Sequence, residues 1–334
     1  MSAVIDAHSH LFPPGFIERL RARPTAPRIT GGPDGDRLIV FASEERTGGR
    51  PVGRSFIDPA EKLRFMDRLG IDRAAVQMAN PLLEPFDGQE AVDAAAELNA
   101  EMAGLLRASG GRLAGLGALP QHDLAAAAAA AEQVAATDTL FGIASGPLLC
   151  RRQLDDPELD PLWGLLERLD VPVTIHPQRG LPVPELEGHG LALSLGLSLP
   201  FETTVAVARL VLGGVLQRFP GLRILAAHGG GALPFLADRL DAVWRTDPRA
   251  REQMPLPPST DLGRLWLDGL VYGPAPLRAA LALAGPERVL FGTDHPYVVA
   301  DAERNLAAID EATDGGADAL AVRGGVAERF FGLT

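Results

Sequence analysis

One cysteine, Cys150, and one lysine, Lys62, stand in a chain of 334 residues. A lone thiol excludes a disulfide framework and leaves little for a thiolate zinc site. Positive charge is also short: 31 Lys and Arg against 43 Asp and Glu give a net charge of −12 and a pI near 5.1. That balance argues against a general nucleic-acid or anionic-membrane binder. No uncharged apolar run reaches the roughly 18 residues that suggest a membrane span. The first residues, Met1-Ser2-Ala3-Val4-Ile5-Asp6, lack the basic and apolar segments of a secretory signal. Together these absences predict a cytoplasmic protein with no nucleic-acid and no membrane partner.

What is present is apolar sequence in a regular rhythm. Hydrophobic residues make up 46% of the chain, and a monomer of this mass buries roughly 75% of its unfolded surface. Runs of three to six apolar residues at 4–7, 74–78, 113–118, 141–144, 172–175, 223–226, 265–267 and 289–291 read as strands buried on both faces, as parallel strands under helices are. Helix starts lie between them. Asp58-Pro59-Ala60-Glu61 and Asp156-Pro157-Glu158 each offer an N-cap and a proline at the first helical position. The alanine run after Asp123 is a strong helix former. Eight strand–helix pairs predict a (β/α)8 TIM barrel forming one domain over 1–334. A doubly wound sheet is the alternative, but no GxGxxG follows the first strand. Two segments break the rhythm. Residues 13–57 predict an inserted flap or small subdomain after the first strand, with one strand-like run at 38–41; residues 180–200 are rich in proline and glycine.

The strand ends carry the chemistry. His8 and His10 alternate along the first strand and so point to one face. His176 closes the fifth strand, His228 follows the sixth and Asp294 follows the eighth. The C-terminal rim is where barrel enzymes build their sites. Three imidazoles and a carboxylate, His8, His10, His176 and Asp294, predict one divalent metal. Zn²⁺ is the first choice, Mn²⁺ or Fe²⁺ the alternatives, and no organic cofactor is expected. His228 is assigned off the metal, as an acid/base. The fourth strand has no lysine to bridge two metals, since Lys62 precedes it on the first helix. Trp266 and Asp268 share a strand face, and Trp266 is a candidate for lining the substrate pocket. His122 and His189 are read as solvated.

His8-Ser9-His10, His176-Pro177, His228-Gly229-Gly230-Gly231 and Gly292-Thr293-Asp294-His295-Pro296 together resemble the amidohydrolase superfamily. More narrowly, Glu202-Thr203-Thr204 through His228 to Arg239 is similar to its aminocarboxymuconate-semialdehyde decarboxylase branch. The resemblance implies a distorted barrel, one divalent metal, a homodimer, and non-oxidative loss of CO₂ from an aromatic or muconate-type acid. Its ligand positions fall on His8, His10, His176 and Asp294, its acid/base histidine on His228, and Asp294 is assigned as proton donor to carbon. Arg239 and Arg54 match its substrate arginines, suited to a carboxylate by their bidentate geometry. Arg239 lies two turns along its helix, roughly 10 Å from the rim, and the family's matching arginine reaches across a dimer interface. The apolar stretch 191–199 is a candidate part of that contact. His295 stands where the family usually carries an aromatic residue. A hydrolase or hydratase acting on a lactone, amide or unsaturated acid is the alternative activity.

Overall fold

The computed structural model describes residues 3–333 apart from 33–34, 41–47, 79–82, 182, 187–188 and 190. Eight strands form one sheet: β1 (Ile5–His10), β2 (Arg73–Gln77), β3 (Leu113–Gly117), β4 (Leu140–Ser145), β5 (Val173–Ile175), β6 (Ile224–Ala226), β7 (Trp266–Asp268) and β8 (Val289–Leu290). They lie in sequence order, each parallel to the next. Between β8 and β1 the backbone closes the ring: Ala7 N–H donates to Phe291 at 2.8 Å and Thr293 N–H to His8 at 3.1 Å. This is the TIM barrel that the alternation of apolar runs predicts, within one residue at seven strands, whereas β1 runs three residues beyond the expected stretch, to His10.

The helices that cover it are α1 (Pro59–Leu69), α2 (Gly88–Ala108), α3 (Leu124–Ala135), α4 (Asp160–Arg168), α5 (Leu199–Leu212), α6 (Leu233–Thr246), α7 (Pro274–Ala284) and α8 (Ala302–Thr313). Local chemistry starts several of them. The Asp58 carboxylate accepts from Ala60 N–H at 2.9 Å ahead of α1, and Asp123 accepts from Ala126 at 2.8 Å ahead of α3. Each such cap contributes about 1 kcal/mol.

Barrel strands need a filled interior. Ile5, Ala7, Ala75, Ala114, Leu116, Leu225 and Leu290 meet Phe330 and Phe331 of the C-terminal helix, which plugs the end opposite the site. Trp266 belongs to this plug: its ring lies 5.2 Å from that of Phe330.

The insertion after β1 holds a helix, Pro14–Ala22, and a three-stranded antiparallel sheet of Arg28–Gly32, Gly35–Ile39 and Arg50–Pro51. The expected run at 38–41 thus belongs to a strand that ends at Ile39, and position 41 lies outside the described residues. One helical stretch, Leu191–Leu212, is long and apolar enough by length and composition to cross a membrane, with a mean hydropathy of 1.5. It nonetheless packs on the barrel through Thr203, Ala206, Val207, Leu210 and Val211.

Candidate metal centre and active site

β1 ends by presenting His8 and His10 to one point. Their Nε2 atoms lie 3.1 Å apart, and His10 Nε2 is 2.9 Å from Asp294 Oδ1. The ring of His176, directly after β5, stands 4.9 Å from both. His228 comes as close, 5.1 Å from His8 and 5.2 Å from His176 between ring centroids, and its Nε2 is 3.7 Å from Asp294 Oδ2. Ligand atoms of His8, His176, His228 and Asp294 all fall within 4.8 Å of one another, the scale of a coordination shell with bonds of about 2.1 Å. Five side chains therefore converge, but the mutually close set includes His228 and leaves out His10, so position does not favour His10 over His228 as a ligand.

The backbone is arranged for this convergence. His228 and Asp294 both sit at positive φ, +55° and +59°, a region that side-chain-bearing residues enter at a cost and that clusters at functional sites. Gly292 lets β8 close on β1, since a Cβ there would lie 2.9 Å from His8 Cβ. Gly231, at φ +65°, passes so near α5 that a Cβ would come within 2.3 Å of Pro200 O and Thr204 Oγ1. The same helix braces two site loops. Glu202 accepts from the N–H groups of Gln178, Arg179 and Gly180 after His176, and Thr204 Oγ1 accepts from Ala232 N–H after the glycine run.

Electrostatics sort the groups by charge. Burial pushes His10 down to about 4 against the pull of Asp294. It pushes His176 well below the imidazole range, with His10 and His8 adding to the effect. Both are neutral at pH 7, the form that binds metals. For His8 burial is outweighed by the Asp268 carboxylate, 2.6 Å from Nδ1, which raises its pKa. Burial would also raise Asp294, but His10 and His228 override it and hold the carboxylate well below its usual range. Nε2 of His176 is buried and without a hydrogen-bond partner. An orphaned neutral imidazole nitrogen facing two others and an ionised carboxylate fits a divalent cation. The donor set, nitrogen and one oxygen, suits zinc or manganese chemistry.

His176, His228 and Asp294 face a cavity of about 350 Å³. Its remaining wall is mostly apolar, with Leu195, Leu199, Pro200, Leu270 and Val271, together with Tyr272, Tyr297 and Arg50. Two substrate-binding expectations need correction. Arg54 is 80% exposed and paired with Asp58 at 2.9 Å; the basic side chain lining the cavity among the described residues is Arg50, four residues earlier on the last strand of the insertion. Trp266 opens β7 at the plugged end, and it is Asp268, at the far end of the same strand, that reaches the site. Arg239 lies on α6, exposed. His189 is exposed as expected, whereas His122 is half-buried with Nδ1 shielded from solvent and unpaired.

Sequence reasoning also missed the tyrosines. The chain has two, and both line the cavity; their rarity and their places just after β7 and β8 were the available signal. Arg50 left none, because nothing periodic marks which turn of the insertion folds back over the rim.

The family model described as amidohydrolase matches residues 5–333. A 2-amino-3-carboxymuconate-6-semialdehyde decarboxylase of Dictyostelium discoideum is 30% identical over 253 residues, 74% of this chain and 69% of that protein. The crystal structure of Metarhizium anisopliae IDCase superposes with a TM-score of 0.92 at 32% identity, covering 99% of this chain and 97% of that one. A dihydroxybenzoic acid decarboxylase of Polaromonas, crystallised with manganese and the inhibitor 2-nitroresorcinol, shares the fold at a TM-score of 0.80 and 21% identity, over 100% of this chain and 98% of its own. The HxH strand end, the orphaned His176, the HGGG turn and the buried Asp294 thus stand in a familiar frame, and the chain belongs to the amidohydrolase family, on its aminocarboxymuconate-semialdehyde decarboxylase-like branch.

Proposed function

We propose that the chain is a metal-dependent, non-oxidative decarboxylase of an aromatic or muconate-type acid. The observation that carries this reading is the placing of His176, His228 and Asp294 on one wall of a 350 Å³, largely apolar cavity with Arg50 on its rim. A cavity of that size holds one small ring, and a guanidinium pairs bidentately with a carboxylate. Family membership with relatives named as decarboxylases supports the same chemistry.

His8, His10, His176 and Asp294 would hold one divalent ion. When bound, it supplies Lewis-acid polarisation of substrate oxygen. Zinc is the first choice from the donor set; manganese gains weight from the similar structures that carry it. Arg50 orients the acid, and the apolar wall of Leu199, Leu270 and Val271 keeps water from the ring. His228 Nε2, facing Asp294 Oδ2, handles the proton. The electrostatics leave Asp294 ionised, so it must be loaded with a proton before it gives one to the carbon that bears the carboxylate. His228 is the neighbour that loads it. Once that carbon is protonated, the C–C bond breaks, its electron pair returns to the ring, and CO₂ leaves; one proton is consumed per turnover.

The active unit in this reading is a homodimer. Phe235, Arg239 and Val243 recur at four-residue spacing on α6, so they share one face, and Phe235 and Val243 are 86% and 53% exposed. Leu191, Leu197, Phe201 and Val205 add exposed apolar surface on the adjoining helical stretch. Exposed apolar side chains gathered on a helix face are the kind of surface that marks interaction sites. The lone, buried Cys150 fits a reducing compartment such as the cytoplasm.

The test is a CO₂-release screen of hydroxybenzoates, methylsalicylates and muconate acids with the metal-loaded protein, run beside elemental analysis. Release from at least one acid, abolished by chelation, is the expected result. Oxygen from labelled water entering a product with no CO₂ would assign the hydrolytic alternative instead.

A further inference from the structure

Lys62 is the chain's one lysine, and it is fully buried. It projects from α1 into the back of the metal centre, behind the strand that carries His8 and His10. An ammonium has three donors and no acceptor, and here each donor meets an acceptor. Nζ lies 2.5 Å from Ser9 Oγ, 2.6 Å from the carbonyl of His295 and 2.7 Å from His295 Nδ1. Ser9 stands between the two β1 histidines, and His295 follows Asp294 directly. The same His295 carbonyl also accepts from His10 N–H at 2.9 Å. The imidazole of His295 is fixed from its other side by Phe65, one turn along α1, stacked at 3.7 Å between centroids.

Lys62 thus spans the seam where the barrel closes. His8 and His10 lie on one side of it and Asp294 on the other. Asp6 performs a matching task one layer deeper: its carboxylate accepts from Thr293 Oγ1 at 2.6 Å and from the N–H groups of Thr293 and His8 at 3.1 Å. Two buried polar side chains therefore fasten β1 to the segment that follows β8. A buried charge is costly and is often replaceable by an apolar side chain without loss of stability. Its value here lies in geometry.

We propose that Lys62 is a positioning residue for the metal centre, which sets the separation of His10 and Asp294 by tying Ser9 to His295, with the His295 ring as its dedicated acceptor. The inference rests on the metal centre proposed above. It gives the histidine at position 295 a role, as the acceptor of the buried ammonium.

Titration of metal-free protein with Co²⁺ alone tests it, since the visible spectrum reports coordination geometry without any turnover. In Lys62→Met the dissociation constant is expected to rise by about 10–100-fold, as for other groups that orient metal ligands, with shifted visible bands. The unfolding midpoint of the metal-free protein should stay close to wild type. A lysine that merely fills the core would do the reverse, lowering the midpoint and leaving affinity and bands unchanged, and that result overturns the proposal. His295→Phe keeps the ring face on Phe65 and removes the acceptor. It should weaken Co²⁺ in the same direction, and the double variant by less than the product of the two. Should Lys62→Met not fold, unchanged Co²⁺ affinity in His295→Phe is by itself sufficient to reject the idea. A wild-type chain that binds no Co²⁺, Mn²⁺ or Zn²⁺ would remove the metal centre and this inference together. Wild-type binding with unaltered variants removes Lys62 alone.

Discussion

Asp268 Oδ2 stands 2.6 Å from His8 Nδ1, with both side chains fully buried. The bond fixes the tautomer: Nδ1 carries the proton, so Nε2 offers its lone pair toward His10 and Asp294. The other oxygen of Asp268 accepts from Gly229 N–H at 2.9 Å, one residue beyond His228. One carboxylate therefore orients a β1 ligand and the turn that carries the acid/base candidate. Asp268→Asn preserves shape but loses the charge that selects this tautomer. Metal affinity, read by calorimetry on metal-free protein, should fall by about 10–100-fold. An unchanged affinity would show that His8 needs no such partner.

His176 and His228 are separated by their variants where geometry leaves them alike. His176→Ala should lose the metal and the activity together. His228→Ala should keep about one ion per chain, while kcat falls by roughly 10²–10⁴. Loss of metal from both would make His228 a fifth protein ligand. Chelation of the wild-type protein should also lower its stability, by about 2.7 kcal/mol where the metal had stood at 100 times its dissociation constant. Denaturant unfolding before and after metal removal measures this directly.

Gly231 is the least replaceable point of the HGGG turn. Alanine there meets both a positive φ and two oxygen atoms at 2.3 Å. Gly231→Ala should destabilise the fold by at least about 1–3 kcal/mol, the usual cost of a residue held in a disfavoured conformation, and should lower kcat by displacing His228. Alanine at Gly196, where a Cβ meets nothing within 4 Å, is the control and should leave stability near wild type.

What was legible in the sequence follows from how locally it is determined. Barrel strands buried on both faces announce themselves as short apolar runs, and Asp58, Asp123 and Asp156 mark helix starts by side-chain chemistry a few residues long. His8, His10, His176, His228 and Asp294 could be gathered on one rim because each sits at a strand end, where the fold sets direction. Arg50 and Lys62 could not. Arg50 reaches the cavity only through the fold of the insertion, and the bonds of Lys62 to Ser9 and His295 span 53 and 233 positions. Trp266 illustrates the opposite error: period two places it on the same face as Asp268, but three residues of strand separate the plugged end of the barrel from the open one.

Arg239 gives the last prediction. It lies exposed on α6, between Phe235 and Val243 on one helix face, eleven positions beyond His228. Its side chain has no partner among the described residues, and the sequence resemblance implies for it the role of an arginine that reaches between subunits. The expected arrangement is a homodimer in which Arg239 of one subunit completes the cavity of the other. Arg239→Ala and His228→Ala homodimers should each be nearly inactive. Co-refolding or co-expressing the two chains makes mixed dimers, in which one site receives an intact Arg239 beside an intact His228 and the other site lacks both. With random pairing of subunits about a quarter of wild-type activity should return. If Arg239 served its own chain, both sites of the mixed dimer would stay damaged and no activity would reappear. Sedimentation at assay concentration supplies the independent check, because a fully active monomer leaves no partner for Arg239 to reach.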